Sequence, residues 1–205
     1  MANLCFSEIT ITHDDVAKLR ALYENIEKWV RHDALGNGTY HWLGNIVLNA
    51  QIGSVDSNDH DYIKCRGDII DICFIEDSRE IFIATATAWT PKIKIWKKLV
   101  DKYLPDAEVT FRANEPGCEI FVTNNFDLAG QYLVDACESF EDWIEEDSYE
   151  IWPKEKVVSW LQKGLKTDCN DIDTLLEMFK ESNASGCAYI NMWKYMSLDE
   201  AATNY

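Results

Sequence analysis

The stretch from Ile81 to Gly117 constrains the fold of this chain more than any other. It reads IFIATATAWTPKIKIWKKLVDKYLPDAEVTFRANEPG. An apolar run rich in β-formers ends at Trp-Thr-Pro, and Pro91 then sits near the first position of a helix, where its missing N–H costs nothing. Ile93, Trp96, Leu99 and Val100 recur at helical spacing and give residues 92–103 a buried face. Leu104-Pro105-Asp106 stops that helix. Residues 107–113 and 118–124 flank Asn114-Glu115-Pro116-Gly117, which reads as a hairpin. The stretch is therefore strand, helix, strand, turn, strand, and it contains no recognisable catalytic group.

The segments before it extend the pattern. Residues 3–12, NLCFSEITIT, alternate as a strand. Thr12 is the expected N-cap of a helix over residues 13–31, with Asp15 as an acidic stand-in for a capping box. Val16, Leu19, Leu22, Tyr23, Ile26, Trp29 and Val30 give that helix its apolar side. Gly36-Asn37-Gly38 ends the unit. Residues 40–52 are an apolar run that reads equally as a short helix or a strand, and residues 53–61 are a polar loop. Residues 67–76 and 80–87 are β-rich runs separated by Asp77-Ser78-Arg79, a hairpin spacing. The order β-α-β-β-α-β plus one further strand predicts an α+β protein. It pairs an antiparallel sheet with helices on one face.

The remainder is more helical. Residues 153–165 form a helix behind Pro153, and Asn170 or Asp171 caps a second one carrying Ile172, Leu175, Leu176, Met178 and Phe179. Residues 187–196 return as a final strand. No linker or repeat interrupts the chain. The expected organisation is an α/β sandwich over residues 1–125 and an acidic, helical extension over 126–205 packed on the same core, as one compact unit.

Charge narrows the function classes. The formal net charge is −17 over 205 residues. Residues 1–125 carry 19 acidic and 13 basic side chains, or −6, and residues 126–205 carry 17 and 6, or −11. Such a field repels phosphate backbones and anionic membrane surfaces, and it favours basic partners or plain solubility. The seven cysteines (Cys5, Cys65, Cys73, Cys118, Cys137, Cys169, Cys187) form no CxxC pair. They read as reduced thiols in a cytoplasmic setting. The opening MANLCFSEITIT shows no signal-peptide pattern, and no apolar window is long enough to span a bilayer.

Several short motifs occur in one order. They are Met1-Ala2-Asn3 with Cys5 opening a strand, Trp42-Leu43-Gly44-Asn45, Cys65-Arg66-Gly67, and Thr87-Ala88-Trp89 with Pro91. Trp96, Asn114-Glu115-Pro116-Gly117 and Thr123-Asn124-Asn125 follow. From residue 1 to about 165 the chain resembles the YubB-like ferredoxin-like family of plasmid, phage and integrative-element proteins. The resemblance implies a ferredoxin-like sandwich and residence on mobile elements, and no assigned reaction. The chain departs from the pattern at Asn3-Leu4-Cys5, where an aromatic precedes the cysteine in the family. It departs again at Thr85-Ala86-Thr87, where the family often has an acidic residue.

Candidate chemistry is sparse. Arg66, Thr87 and Trp89 could line a small-molecule pocket, although a tryptophan at a strand end is more often a core anchor over a helix–sheet junction. His13, His32, His41 and His60 show no metal-binding or general-base spacing. Cys65 beside His41 or His60 would make a nucleophile pair only if folding joined them. No Walker, GxGxxG or GxSxG motif is present. No metal or other cofactor is expected. Phe74, Phe82, Phe111 and Phe121 lie in strands but read as core, and the charge is wrong for direct nucleic-acid binding. Lys92, Lys94, Lys97, Lys98 and Lys102, against Asp101 alone, read as a solvated helix face with snorkelling stems.

The sharpest feature is the run from Asp135 to Glu150, with eight carboxylates and no base. These are Asp135, Glu138, Glu141, Asp142, Glu145, Glu146, Asp147 and Glu150. Periodicity places Glu138, Glu141, Asp142, Glu145 and Glu146 on one face of a helix. The family resemblance instead implies a strand at 131–137, a loop at 138–147 and a strand at 149–152. Both readings cluster the carboxylates. Duplex DNA carries a charge every ~1.7 Å of axis, and a dense acidic surface can compete for the same cationic channel. The expected function is a non-enzymatic inhibitor that binds a basic host protein or nucleoprotein complex, of the anti-CRISPR or anti-restriction, nucleic-acid-mimic type. A homodimer, a regulatory small-molecule-binding domain and a cryptic enzyme remain alternatives.

Overall fold

A computed structural model describes residues 3–36, 38–136, 148–182 and 188–205. The fold is mixed α+β. It divides into two compact units, one of residues 1–125 with 196–205 and one of residues 126–195. The boundary falls where the charge changes. However, the described residues hold two hydrophobic clusters rather than the single core expected, one in each unit. The reason is that the second unit supplies its own sheet with two helices and can bury its own apolar faces.

The first unit is built on β1 (Leu4–Thr12), α1 (Val16–Arg31), α2 (Leu43–Asn49), β2 (Gly67–Ile75), β3 (Glu80–Ala88), α3 (Ile93–Tyr103), β4 (Glu108–Glu115) and β5 (Ile120–Thr123). The strands run in the order β2-β3-β1-β4-β5, each antiparallel to its neighbour. Both β-α-β crossovers skip one strand. The connection through α1 passes over β3, and the connection through α3 passes over β1. Cys5, Ser7, Ile9 and Ile11 of β1 alternate into the interior. Leu19, Leu22, Ile26 and Val30 of α1 join the same cluster as Ile93, Trp96, Leu99 and Val100 of α3. The helices thus cover one face.

Local details explain the shifts from sequence. Thr12 ends β1, so the cap of α1 is Asp15, which accepts hydrogen bonds from the Ala17 and Lys18 N–H groups at 3.1 Å each. The ambiguous run 40–52 forms α2. A Cβ on Gly44 would lie 2.2 Å from the Trp42 ring, so a side chain there requires that ring to move. Asn45 is fully buried, donates to the Thr39 and Val30 carbonyls and accepts from Ala34 N–H. The Trp42–Asn45 motif is therefore a clasp on the loop after α1. The strand expected over 118–124 begins only at Ile120, because Pro116–Cys118 form a 3-10 turn capped by the Glu115 carboxylate.

The chain returns to the first unit as α6 (Leu198–Asn204), which the sequence reading did not anticipate. Ser197 and Glu200 make a reciprocal capping box, and Ala201 enters the core.

The second unit contains β6 (Tyr132–Ala136), β7 (Ser148–Trp152), α4 (Lys154–Leu165), α5 (Ile172–Ser182), β8 (Ala188–Met192) and β9 (Lys194–Tyr195). Its three-stranded sheet has the order β7-β6-β8, antiparallel throughout. Asp171 caps α5 by accepting from Thr174 N–H at 2.9 Å. Val157, Leu161, Ile172, Leu175 and Phe179 pack on the face that carries Tyr132, Val134, Trp152, Ala188 and Ile190.

Candidate functional site

The interior face of the large sheet is graded along the strands. Two cross-strand rows are apolar: Phe74–Ile81–Ile11–Val109 and Ile72–Ile83–Ile9–Phe111. The next two turn polar: Ile69–Thr85–Ser7–Ala113 and Gly67–Thr87–Cys5, with the Glu115 charge acting on Cys5 from the end of β4. Ser7, Thr85, Thr87, Lys92 and Glu115 are all buried at this end. Charged side chains are seldom buried without a partner. Lys92 is 5% exposed and Glu115 3%.

Lys92 Nζ donates to Ala88 O at 3.2 Å and to Thr90 Oγ1 at 2.8 Å. Burial lowers its pKa, and the Lys64 charge adds to the effect. Burial pushes the Cys5 thiol up to about 11, against the hydrogen bond with Ser7 and the Lys92 charge. Glu115 Oε1 accepts from Gly117 N–H at 3.1 Å, while Oε2 is buried with no hydrogen-bond partner among the described residues. The exposed Cys118 thiol lies against the same carboxylate, which raises its pKa, but a thiol is a weak donor and no substitute for an N–H or O–H.

The proposed pocket trio lies at this end of the sheet, with Thr87 buried and Arg66 and Trp89 exposed. Thr87 is fully buried, and its Oγ1 donates to Thr90 O at 2.9 Å and Cys5 O at 3.3 Å. The Arg66 carbonyl accepts from Ala88 N–H at 3.0 Å, and its side chain is exposed. Gly67 beside it sits at φ +148°, where a Cβ would meet Ala86 O and Thr87 Cα at 2.6 Å. Trp89 is no core anchor. It is 46% exposed, at φ +67°, with its N–H bonded to Asn3 O. The anchor is Trp96. The chain must leave β3 and enter α3 within a few residues, and Trp89 takes the left-handed backbone that this turn demands.

Cys65 is buried and its thiol is held at about 11, which works against a thiolate nucleophile, while the His60 side chain is at the surface beside Asp61. Among the described residues, no three His, Cys, Asp or Glu side chains gather as metal ligands.

The lysines expected as one solvated face differ in exposure: Lys102 is exposed and Lys94, Lys97 and Lys98 are half-buried. Lys92 is interior. Lys102 Nζ donates to the Ala50 and Gln51 carbonyls at 2.9 Å each, Lys98 Nζ to Ile52 O at 3.2 Å, and Tyr103 Oη to Ala50 O at 2.8 Å. These carbonyls follow the end of α2, where a cation is favourable. Lys97 bonds Asp101 at 2.9 Å and Asp199 at 3.2 Å. Lys98 and Lys102 thus brace the chain after α2 from the surface.

On the face of the large sheet opposite α1 and α3, Phe6 is exposed and Phe82, expected in the core, is half-buried opposite Thr10. Phe111 and Phe121 are buried, and Phe74 packs on the core. Glu8 holds Arg112 in a two-pronged pair at 2.7 and 2.8 Å. No free cation accompanies these rings among the described residues of the face, unlike an RNA-binding sheet.

Of the acidic run, Glu138, Glu141, Asp142, Glu145, Glu146 and Asp147 lie outside the described residues. Asp135 belongs to β6 and Glu150 to β7, so strands flank the run, as the family resemblance implied, and a helix does not extend back to Leu133. The two described carboxylates point to opposite faces. Glu150 pairs with Val134, on the helix-covered side. Its Oε2 accepts from Trp152 Nε1 at 2.6 Å and Lys156 Nζ at 3.2 Å, bonds that lower its pKa in that order. Asp135 is on the other face, directly between Tyr149 of β7 and Tyr189 of β8. Burial raises its pKa, and no described cation reaches it. The sequence reading did not find this row, because the two tyrosines are 40 residues apart and only the strand register joins them.

Comparison with family models, curated proteins and solved structures returns no match.

Proposed function

We propose that this chain is a non-enzymatic, acidic protein-binding module that docks on a cationic surface of a nucleic-acid-handling partner and occludes it. The observation that carries the reading is the fate of the α3 lysines. The densest cationic stretch of the sequence is bonded to carbonyls and carboxylates of the first unit itself. Those amino groups serve contacts within the first unit, while residues 126–205 carry −11. A net negative surface of this kind displaces counterions from a cationic channel as a nucleic acid does.

The order β1-α1-β2-β3-α3-β4 supports a ferredoxin-like, YubB-like core with β5 added at one edge, and thus an origin in a phage or other mobile element. The partner would be a host defence complex of the anti-CRISPR or anti-restriction kind. Among the described residues no helix is long and apolar enough to cross a membrane. Cys5, Cys65, Cys73, Cys118 and Cys169 are free thiols, which fits a reducing compartment.

The test is competition. The protein is titrated against purified host nuclease complexes at low and high salt, with and without duplex DNA. A variant with Gln or Asn at the six carboxylates of 138–147 is run in parallel. Inhibition relieved by DNA, weakened by salt and lost in the variant supports the reading. Equal potency of the neutralised variant refutes it.

A further inference from the structure

β2 is an edge strand of the large sheet, with β3 on one side of it. The other side is taken only at its start, where Ile69 N–H donates to His41 O at 2.9 Å and Asp68 bridges to Trp42. From Ile70 to Ile75 no second strand pairs with it among the described residues. Side chains along this stretch reach solvent: Ile70 is 58% exposed, Ile75 39%, and Asp71 is exposed between them.

We propose that this edge receives an extended segment of a partner protein as an added strand, apolar on the face towards α1 and basic on the opposite face. The proposal rests on the reading of the chain as a module for cationic partners. It deepens that reading by naming the backbone form and the side-chain order of the segment.

Three features favour that occupant. The first is the backbone. An edge strand offers a row of unpaired N–H and C=O groups, and native edges are usually blunted by lysine, proline or a bulge. Residues 67–75 hold no lysine, arginine or proline. Their one irregularity is the bulge between Ile69 and Asp71, which leaves Asp71–Ile75 in unbroken register with β3. At about 3.3 Å per residue that run is about 17 Å long.

The second feature is the helix side. Ile72 and Phe74 lie opposite Ile83 and Ile81 of β3, pack on the core and remain half-buried. The Tyr23 ring of α1 is 5.8 Å from the Phe74 ring, and the Arg20 guanidinium stands 4.6 Å over it. Apolar residues of an added strand would complete the burial of this pair, as cross-strand neighbours do.

The third feature is charge on the other side. There Asp71, Cys73 and Ile75 lie opposite Ala84, Phe82 and Glu80. Neither Asp71 nor Glu80 has a salt bridge among the described residues, and cations at this end are engaged elsewhere, Arg20 with Glu76 at 2.8 Å and Arg79 with Asp14 at 3.5 Å. The Cys73 thiol between the two acids registers them: burial raises its pKa, and the Asp71 and Glu80 charges raise it further. A second copy of β2 would bring these carboxylates against their own kind, so charge selects a basic segment over self-pairing. Successive side chains of a strand alternate between faces, so the segment alternates apolar and basic residues.

The experiment uses the full chain under reducing conditions. A fluorescent peptide of alternating lysine and valine is titrated by anisotropy, beside a twin with glutamate for lysine and a block isomer of the same composition. Two further copies carry N-methyl groups on the valines or on the lysines. Alternate N–H groups of a strand point to opposite sides, so one methylated copy should lose binding and the other keep it. The alternating peptide should bind best, slow hydrogen exchange in residues 70–75, and weaken by about two- to five-fold with Asp71→Lys. Asp71 is exposed, and a thermal melt checks that the variant folds. No binding, indifference to both methylated registers, protection elsewhere than β2, or unchanged affinity of Asp71→Lys overturns the proposal. So does a dimer of the chain in sedimentation that the peptide dissolves, which assigns the edge to a second copy. The two readings fail separately when the nuclease assay is run beside this one. If the peptide misses β2 and neutralising 138–147 abolishes inhibition, the mimicry reading stands and the edge falls. If the peptide pairs with β2 and the neutralised variant inhibits as the wild type does, the edge stands and the mimicry reading falls.

Discussion

Raising the pH should unload the first unit through one thiol, and the size of the effect can be worked out. Cys5 is fully buried in β1, between Thr87 on β3 and the Glu115 end of β4. Burial pushes its pKa from 9.0 to about 11. In the unfolded chain the thiol ionises near its ordinary value, while in the folded chain it stays neutral. A group with a raised folded pKa stabilises fully below the unfolded value, and the contribution is lost as pH climbs towards the folded one. The window is therefore pH 9 to 11. At about pH 10.5 the two titrations differ by about 1.4 pKa units, and at 1.36 kcal/mol per unit the loss is about 2 kcal/mol.

Other groups titrate in the same range. Cys65 also sits at about 11, and Lys92 acts in the opposite sense, because deprotonation of a buried amine relieves its desolvation. The assay is therefore a difference. Urea unfolding of the wild type and of Cys5→Ala, both reduced, is measured at about pH 8 and about pH 10.5. The substitution costs a roughly constant amount for the lost packing. Its pH-dependent part isolates the thiol, and the wild type should lose about 2 kcal/mol more than the variant between the two conditions. Equal losses would refute the reasoning. They would mean that the Cys5 thiol ionises in the folded protein as it does in water, so that this end of the sheet is wet.

Two further outcomes test the packing that carries the site. Gly44→Ala should destabilise by about 1–3 kcal/mol through its clash with the Trp42 ring, where the same change in an open helix would stabilise by about 1 kcal/mol; the sign of the shift in a urea or thermal melt decides. Lys102→Met should cost about 1–2 kcal/mol, because Nζ leaves two carbonyls after α2 without their charged donor, and an unchanged urea midpoint would mean that the α3 lysines are solvated after all.

The fold was legible where periodicity and turn chemistry agreed. The alternation of residues 3–12, the spacing of Leu19, Leu22, Ile26 and Val30, and the Asp77–Arg79 turn each specify one local structure. Hairpin spacing accounts for the β2–β3 and β4–β5 pairings, whereas β1 pairs with β3 and β4 far along the chain. What was not legible depended on particular side-chain partners. Thr12 and Asp15 are both good caps, and only the length of the β1–β3 ladder decides between them. Trp89 looked like an anchor because tryptophan usually is one, but the sharp exit from β3 turns it outward. Ser197 and Glu200 spell a capping box, a local signal for α6 that the sequence reading did not take up.

The candidate sites show why charge counted from sequence misleads in both directions. Five lysines on one helix suggested a basic face, yet backbone carbonyls within a few residues of α2 claim Lys98 and Lys102, and Lys92 is sealed inside. Asp135 and Glu150 suggested one acidic surface, yet a strand alternates its side chains, and the β6–β7 register sends them to opposite faces. Glu150 is answered by Trp152 and Lys156, whereas Asp135 is left between two tyrosines with no described cation to meet it. The net count of −17 therefore describes the long-range field of the chain and not any one contact. What a surface can select at contact depends on which carboxylates the fold leaves without a cation, and strand register decides that as much as composition does.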